Sequence, residues 1–212
     1  MKTAKKQYFV GGITLDQAIP FINLPLNQFP LGHFIYSNEI RNYLDQHRFK
    51  RFFIYRDPRD WLVSCVYWNS NPGVNLFPSN LLTFSEKLDF MLVGLGALSN
   101  GKSMFTYGRY IEWLKDPNCC SVKFEDLVGP QGGGKKEKQV AAIKKICNYI
   151  GYRLSNLQII KLADNLWGNT NTFREGKIGS WKSHFSKEQI NLVKKLSGSL
   201  LIELGYEKDL NW

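Results

Sequence analysis

The stretch Arg51–Ser64, RFFIYRDPRDWLVS, decides the fold of this chain. It opens with a nearly continuous apolar run of strand length, which is typical of a strand buried on both faces. Asp57 is a favoured residue for a helix N-cap, and Pro58 suits the first position of a helix. The sequence therefore predicts a buried strand that runs directly into a helix.

Strand-like and helical segments alternate along the rest of the chain. QYFVGG and CCSVKFEDL resemble short strands, and Gly151, Gly168, Ser155 and Ser186 are expected to cap helices. Apolar residues recur at helical intervals in EIRNYLDQHRF, FSEKLDFMLVGLGAL, FTYGRYIEWLKDPN, EKQVAAIKKICNYIG, SNLQIIKLADNLWG and SKEQINLVKKLSGSLLIELGY. This alternation predicts an α/β layered fold with a parallel sheet, and 212 residues are typical of a single domain, residues 1–212.

The composition narrows the class of protein. The net charge of +10 indicates an anionic partner without naming it. The chain has no apolar run long enough for a membrane span, and its start lacks the features of a signal peptide, so a cytoplasmic protein is expected. Four cysteines without C-x-x-C spacing and three histidines favour reduced thiols and argue against a metal site.

The segment GLGALSNGKSMF, residues 94–105, matches the pattern of a nucleotide-binding P-loop. A functional P-loop follows a buried strand, whereas the residues before Gly96 have helical periodicity and carry charges. We interpret the match as incidental, in a turn between helices with an exposed Lys102. The alternative, a P-loop ATPase, predicts that Lys102→Ala abolishes ATP binding.

Arg56 and Ser64 are the candidate anion ligands. Arg56 lies where the predicted strand ends, and the helix that follows presents N–H groups and the positive end of its dipole. Ser64 lies four residues after Asp60 and so shares its helix face. An arginine fork and a hydroxyl together suit a terminal phosphate. The alternative is a surface ion pair, Arg56–Asp60 or Arg59–Asp57.

Five motifs in order give the chain a family resemblance that covers about residues 32–212. They are GHFIYS, FIYRDPRDWLVS, VKFEDLVGPQGGG, TFREGKIGSWKSHF and LIELGYEKDLNW. Together they resemble the sulfotransferases that use 3′-phosphoadenosine-5′-phosphosulfate (PAPS), in particular the bacterial sulfotransferase-domain proteins. The resemblance implies a nucleotide-kinase-like, three-layer fold with a central parallel sheet.

The resemblance also assigns roles to residues. It implies that Arg56 and Ser64 hold the 3′-phosphate of the donor, and that the turn at Arg174 and Gly176 closes on the same phosphate. Phe124 matches an aromatic position near the adenine. His33 matches the catalytic histidine, which would accept a proton from the acceptor's hydroxyl or amine. His184 matches a structural position.

The same resemblance implies PAPS as the co-substrate, no metal, a small-molecule or glycan acceptor and no nucleic acid. Glu175 stands where family members often have lysine. Lys182-x-x-x-Ser186-Lys187 departs from the family's dimer motif, so the oligomeric state is left open.

The N-terminal segment departs from the family pattern. Family members have a strand, a cationic glycine- or serine-rich loop that grips the 5′-phosphosulfate, and a helix well before the catalytic histidine. Here YFVGGITLDQAI has a strand-like start, two glycines and Thr14, but no cation in the loop. Residues 1–30 are therefore interpreted as divergent or truncated.

The leading hypothesis is a sulfotransferase; the alternative is an impaired homologue that binds a nucleotide or another anion without turnover.

Overall fold

A computed structural model describes residues 10–11, 15–22, 33–74, 77–81, 83–93, 103–168 and 174–212 of the chain. Within these residues the strands are Val10–Gly11 (β1), His33–Phe34 (β2), Arg51–Tyr55 (β3) and Cys119–Lys123 (β4). The α-helices are Leu15–Ile22 (α1), Asn38–Gln46 (α2), Pro58–Asn69 (α3), Phe84–Val93 (α4), Ser103–Ile111 (α5), Phe124–Leu127 (α6), Lys136–Ile150 (α7), Asn156–Asp164 (α8) and Lys187–Glu203 (α9). Short 3₁₀ turns lie at Glu112–Lys115, Pro130–Gly132 and Ser180–Ser183.

The predicted parallel pairing is confirmed. β1 pairs with β2, and β3 pairs with β4 in a register that runs from Arg51 opposite Cys119 to Tyr55 opposite Lys123. In the described part of the chain these are two separate pairs of strands. Because β3 and β4 end opposite each other, the residues that follow them, Arg56 and Phe124, leave the sheet side by side.

The predicted passage from strand to helix is also confirmed. The Asp57 side chain accepts a hydrogen bond from the Arg59 N–H at 2.9 Å, and Pro58 is the first residue of α3. The inner face of α3 is fully buried and belongs to a hydrophobic cluster to which α4 and α9 also contribute. Its most deeply buried members are Leu62, Val63, Val66, Leu88, Leu92, Val193 and Leu201. This packing holds α3, and the residues just before it, in a fixed position.

Sequence signals for helix ends were accurate at most positions. Ser155 and Ser186 each form a capping box at the start of α8 and α9, and Gly151 ends α7 with a positive φ of 77°. The prediction that α8 extends to Gly168 is wrong, because the helix ends at Asp164 with Asn165 as its C-cap. The Asn165 side chain donates to the Lys161 carbonyl and satisfies an acceptor of the last turn.

A strand and a helix precede β2, namely β1 and α1. The strand-like start predicted in QYFVGG is thus confirmed for Val10–Gly11, whereas residues 12–14, which connect β1 to α1, lie outside the described residues. In the part of the chain that is described, no helix has the length and apolar character needed to cross a membrane.

Candidate functional site

Arg56 folds back along one face of α3. Its Nη1 donates to the Ser64 hydroxyl at 3.1 Å, and its Nη2 lies 3.5 Å from Asp60 Oδ2 and 3.4 Å from the Lys177 carbonyl. Residues 56, 60 and 64 are spaced by four, so they share a face. Because Ser64 accepts from Arg56, its own hydroxyl proton can still be donated to an anion. The predicted pairing of Arg56 with Ser64 is therefore present.

Phe124 covers the other side of the guanidinium. It directly follows β4, and its ring centre lies 4.5 Å from Arg56 Cζ, within the range of a cation–π contact. Arg56 Nε is buried and has no hydrogen-bond partner among the described residues. A buried donor without a partner is costly, so this guanidinium has unused capacity to bind an acceptor. The sequence placed Arg56 at a strand end, as observed. The strand predicted in CCSVKFEDL is shorter than expected, because β4 ends at Lys123 and Phe124 begins α6.

Asp60 connects α3 to the turn after Arg174. This carboxylate is 1% exposed and accepts from the backbone N–H groups of Gly179 at 2.7 Å and Trp181 at 2.9 Å. The turn thereby lies close enough for the Lys177 carbonyl to reach Arg56. The alternative interpretation, an ion pair of Arg56 with Asp60, is confirmed at 3.5 Å, but the pair does not lie on the surface, because Asp60 is buried and also accepts from two backbone N–H groups. Sequence reasoning missed this role.

Two glycine-containing segments meet beside the turn. Ile178 N–H donates to the Gly132 carbonyl at 2.9 Å, and Gly176 has a φ of 61°. A Cβ atom on Gly132 would lie 2.3 Å from the Gly176 carbonyl oxygen, so only glycine fits there. The GPQGGG loop that follows α6 is thus packed directly against the turn that carries Arg174 and Gly176.

Arg174 lies over the same helix as Ser64, one turn further along. Its guanidinium carbon is 4.0 Å from the centre of the Tyr67 ring, and its Nη2 donates to Ser180 Oγ at 3.3 Å. Its Nη1 is paired with Glu175 at 2.6 Å. The structure therefore brings Arg174 to the Ser64 face of α3, with one side of its guanidinium occupied by the neighbouring carboxylate.

Buried polar groups fix the backbone at Arg56. The Arg56 N–H donates to the Tyr107 hydroxyl at 3.2 Å, and that hydroxyl in turn donates to the Arg56 carbonyl. The Asp57 N–H donates to Glu125 at 2.8 Å, and the Tyr206 hydroxyl donates to the same carboxylate at 3.0 Å. Burial raises the pKa values of Tyr107, Tyr206 and Glu125 above their ordinary values. None of these contacts carries a local sequence signal.

The N-terminus of α3 is not the open anion site that the sequence suggested. Pro58 lacks an N–H group, and Asp57 already accepts from the Arg59 N–H. Arg59 also pairs with Asp57 at 2.7 Å, but its side chain is only 3% exposed, so this pair is buried and does not lie on the surface. The anion-binding capacity of the site therefore comes from side chains.

Two expectations fall wholly or partly outside the described residues. His33 lies in β2, opposite Val10, and its side chain is not described. Of the P-loop-like segment, residues 94–102 are not described, and Ser103 is the first residue of α5. The helix α4 precedes this segment, in agreement with the helical periodicity inferred from the sequence. Within the described ranges, no group of three or more potential metal ligands is found.

Comparison with known proteins gives a consistent family match. A family model described as "Sulfotransferase domain" matches residues 33–205. Sulfotransferase 6B1 of Danio rerio is 30% identical over 170 residues, which cover 72% of this chain and 52% of that protein. Sulfotransferase 2A1 of Rattus norvegicus is 26% identical over 175 residues, 69% of this chain and 55% of that protein. The chain thus spans about half the length of these curated relatives.

Solved structures show the same fold. A mouse sulfotransferase complexed with PAP (adenosine 3′,5′-bisphosphate) matches with a TM-score of 0.61 and 19% identity, over 91% of this chain and 75% of that one. Retinol dehydratase in complex with androsterone and PAP matches with a TM-score of 0.66 and 21% identity, over 87% of this chain and 56% of that one. These matches confirm the predicted sulfotransferase-type α/β fold.

Proposed function

The chain belongs to the sulfotransferase-domain family, and from that premise we propose that it transfers a sulfuryl group from PAPS to an acceptor hydroxyl or amine. In this reaction the bond between sulfur and the donor's phosphate oxygen breaks, and a bond between sulfur and the acceptor forms. The acceptor's proton passes to a base. Two further relatives are a 3-alpha-hydroxysteroid sulfotransferase of Cavia porcellus and a flavonol 3-sulfotransferase of Flaveria bidentis, which supports a small hydroxyl-bearing acceptor.

The observation that carries the proposal is the hydrogen bond between Arg56 and Ser64 at the end of β3. It joins a guanidinium that stacks on Phe124 to a hydroxyl that can still donate, on a rigid and deeply packed helix. Charge-assisted donors in this arrangement suit a phosphate dianion. We assign Arg56 and Ser64 to the donor's 3′-phosphate and Phe124 to the vicinity of its adenine.

Arg174 and Gly176 complete the proposed phosphate site. Asp60 and Gly132 hold their turn against α3 and the loop after α6. Cationic side chains around the bound nucleotide also favour the reaction, because the nucleotide gains negative charge as the sulfuryl group leaves it.

His33 is the proposed base. An imidazole whose pKa is near neutral can accept the acceptor's proton during transfer. The support for this role is the family motif around His33 and its place in β2, at the start of the family match.

Calorimetric titration with adenosine 3′,5′-bisphosphate tests the site. The wild type should bind, and Arg56→Ala should weaken binding by about 100-fold, as expected for roughly 3 kcal/mol from a charged hydrogen-bonding group. Arg109→Ala, on the exposed side of α5, is the matched control because it removes an equal charge away from the site. Equal affinities for Arg56→Ala and the wild type would refute the site.

Turnover of labelled PAPS with phenols, steroids and sugars tests the reaction itself. His33→Ala should abolish product formation while leaving affinity for adenosine 3′,5′-bisphosphate unchanged. Binding without any product from the wild type would instead favour the alternative, a nucleotide-binding homologue that has lost activity.

A further inference from the structure

A small aromatic cluster lies beside Arg174 and is not used in the proposed reaction. It consists of Tyr67 on α3, Phe84 on α4 and His184, which follows the 3₁₀ turn at Ser180–Ser183. The ring centres of Tyr67 and Phe84 are 5.0 Å apart, and those of Phe84 and His184 are 4.9 Å apart. Three separate segments of the chain therefore meet at one contact.

The hydrogen bonds of His184 determine its tautomer when the ring is neutral. Nδ1 lies 2.7 Å from the Ser180 carbonyl, and because a carbonyl only accepts, Nδ1 carries the proton. Nε2 is then an acceptor, and the Tyr67 hydroxyl, 3.0 Å away, donates to it. The Tyr67 ring is thus held by its contact with Phe84 and by the hydrogen bond of its hydroxyl to His184.

The face of the Tyr67 ring carries the Arg174 guanidinium at 4.0 Å. The same arginine donates to Ser180 Oγ, and the Ser180 carbonyl is the acceptor for His184. His184 therefore contacts two of the three groups that Arg174 touches, Tyr67 and Ser180; the third is the Glu175 carboxylate. Arg174 is 30% exposed, so without these contacts its long side chain would sample many rotamers.

We propose that His184 and Tyr67 are positioning residues that hold Arg174 ready for the 3′-phosphate of the donor. The inference rests on the proposed function, because it assumes that Arg174 meets that phosphate. It changes the interpretation of His184 from a purely structural residue to one that sets nucleotide affinity. It also predicts that His184 and Tyr67 raise the affinity only for ligands that carry a 3′-phosphate.

The test compares adenosine 3′,5′-bisphosphate with adenosine 5′-monophosphate, which lacks the 3′-phosphate, by calorimetry. His184→Ala should weaken binding of the bisphosphate by about tenfold, a loss that matches roughly 1.4 kcal/mol, and leave the monophosphate unchanged. His184→Gln should restore most of the affinity, since its amide can donate to Ser180 and accept from Tyr67. Tyr67→Phe keeps the ring and should show a smaller loss.

A double variant shows whether His184 affects nucleotide binding through Arg174. Arg174→Ala should weaken bisphosphate binding by itself, and adding His184→Ala should cause no further loss, because the positioned side chain is already gone. Equal losses for both nucleotides, or additive losses in the double variant, would overturn the inference while leaving the proposed function intact. If the wild type binds neither nucleotide, the proposed function and this inference both fail.

Discussion

Glu175 limits the capacity of Arg174 to bind an anion. Its carboxylate lies 2.6 Å from Arg174 Nη1, and both side chains are partly exposed. An incoming phosphate therefore has to compete with a carboxylate that already neutralises the guanidinium. The sequence singled out this position because family members often carry lysine there, and the geometry now gives the substitution a physical consequence.

Replacing Glu175 should strengthen binding of adenosine 3′,5′-bisphosphate. Glu175→Gln removes the competing charge, and Glu175→Lys adds a cation, so we expect increases of about threefold and about tenfold at low salt. Calorimetry at two salt concentrations checks this, because screening should reduce both gains. Glu188→Gln, at the exposed start of α9, is the control for net charge. A weaker affinity for Glu175→Lys would show that Glu175 supports the site.

Local patterns revealed some side chains of the site and not others. Arg56 and Ser64 follow directly from a strand end and helix spacing, whereas Phe124 was predicted only from the family resemblance. Asp60 and His184 owe their roles to partners 119 and 117 residues away along the chain, Gly179 and Tyr67. Such contacts arise only when the chain is folded, and no spacing rule encodes them.

The loop after α6 and the turn at Arg174–Gly179 act as one unit. Gly132 lies where a side chain would collide with the Gly176 carbonyl, with Val128 at 2.3 Å and with Trp167 at 2.6 Å. In the sequence, GPQGGG stands out only as part of the motif VKFEDLVGPQGGG, which does not reveal this contact. The structure shows instead that the lack of a side chain permits the close approach of two backbones.

Gly132→Ala should therefore disturb both segments. We expect a loss of about 1–3 kcal/mol in the free energy of unfolding from overpacking, together with weaker binding of adenosine 3′,5′-bisphosphate. Urea denaturation and calorimetry measure the two effects. Gly108→Ala in α5 is the matched control, since nothing lies within 4 Å of its added methyl group, and it should be neutral or stabilising. An unchanged stability for Gly132→Ala would disprove the close packing.

Arg59 ties distant parts of the chain to the start of α3. Its guanidinium pairs with Asp57 at 2.7 Å and with Glu207 at 2.5 Å, and its Cζ lies 4.0 and 4.5 Å from the ring centres of Trp181 and Trp212. Since Asp57 caps α3 directly after Arg56, this contact connects the C-terminal segment to the candidate site. The sequence contained the pair, but only the fold shows that it is buried.

Burial determines what this ion pair contributes. Removing Arg59 leaves two carboxylates without their partner in a poorly solvated place, so Arg59→Ala should lower the free energy of unfolding by about 3–5 kcal/mol. Arg59→Lys keeps the charge but loses the planar fork and should fall between Arg59→Ala and the wild type. Lys115 pairs with Glu112 at a similar 2.8 Å, yet both side chains are exposed, so Lys115→Ala should have no measurable effect in the same urea titration. If Arg59→Ala and Lys115→Ala unfold at the same urea concentration, the buried ion pairs of Arg59 do not stabilise the fold more than an exposed pair does.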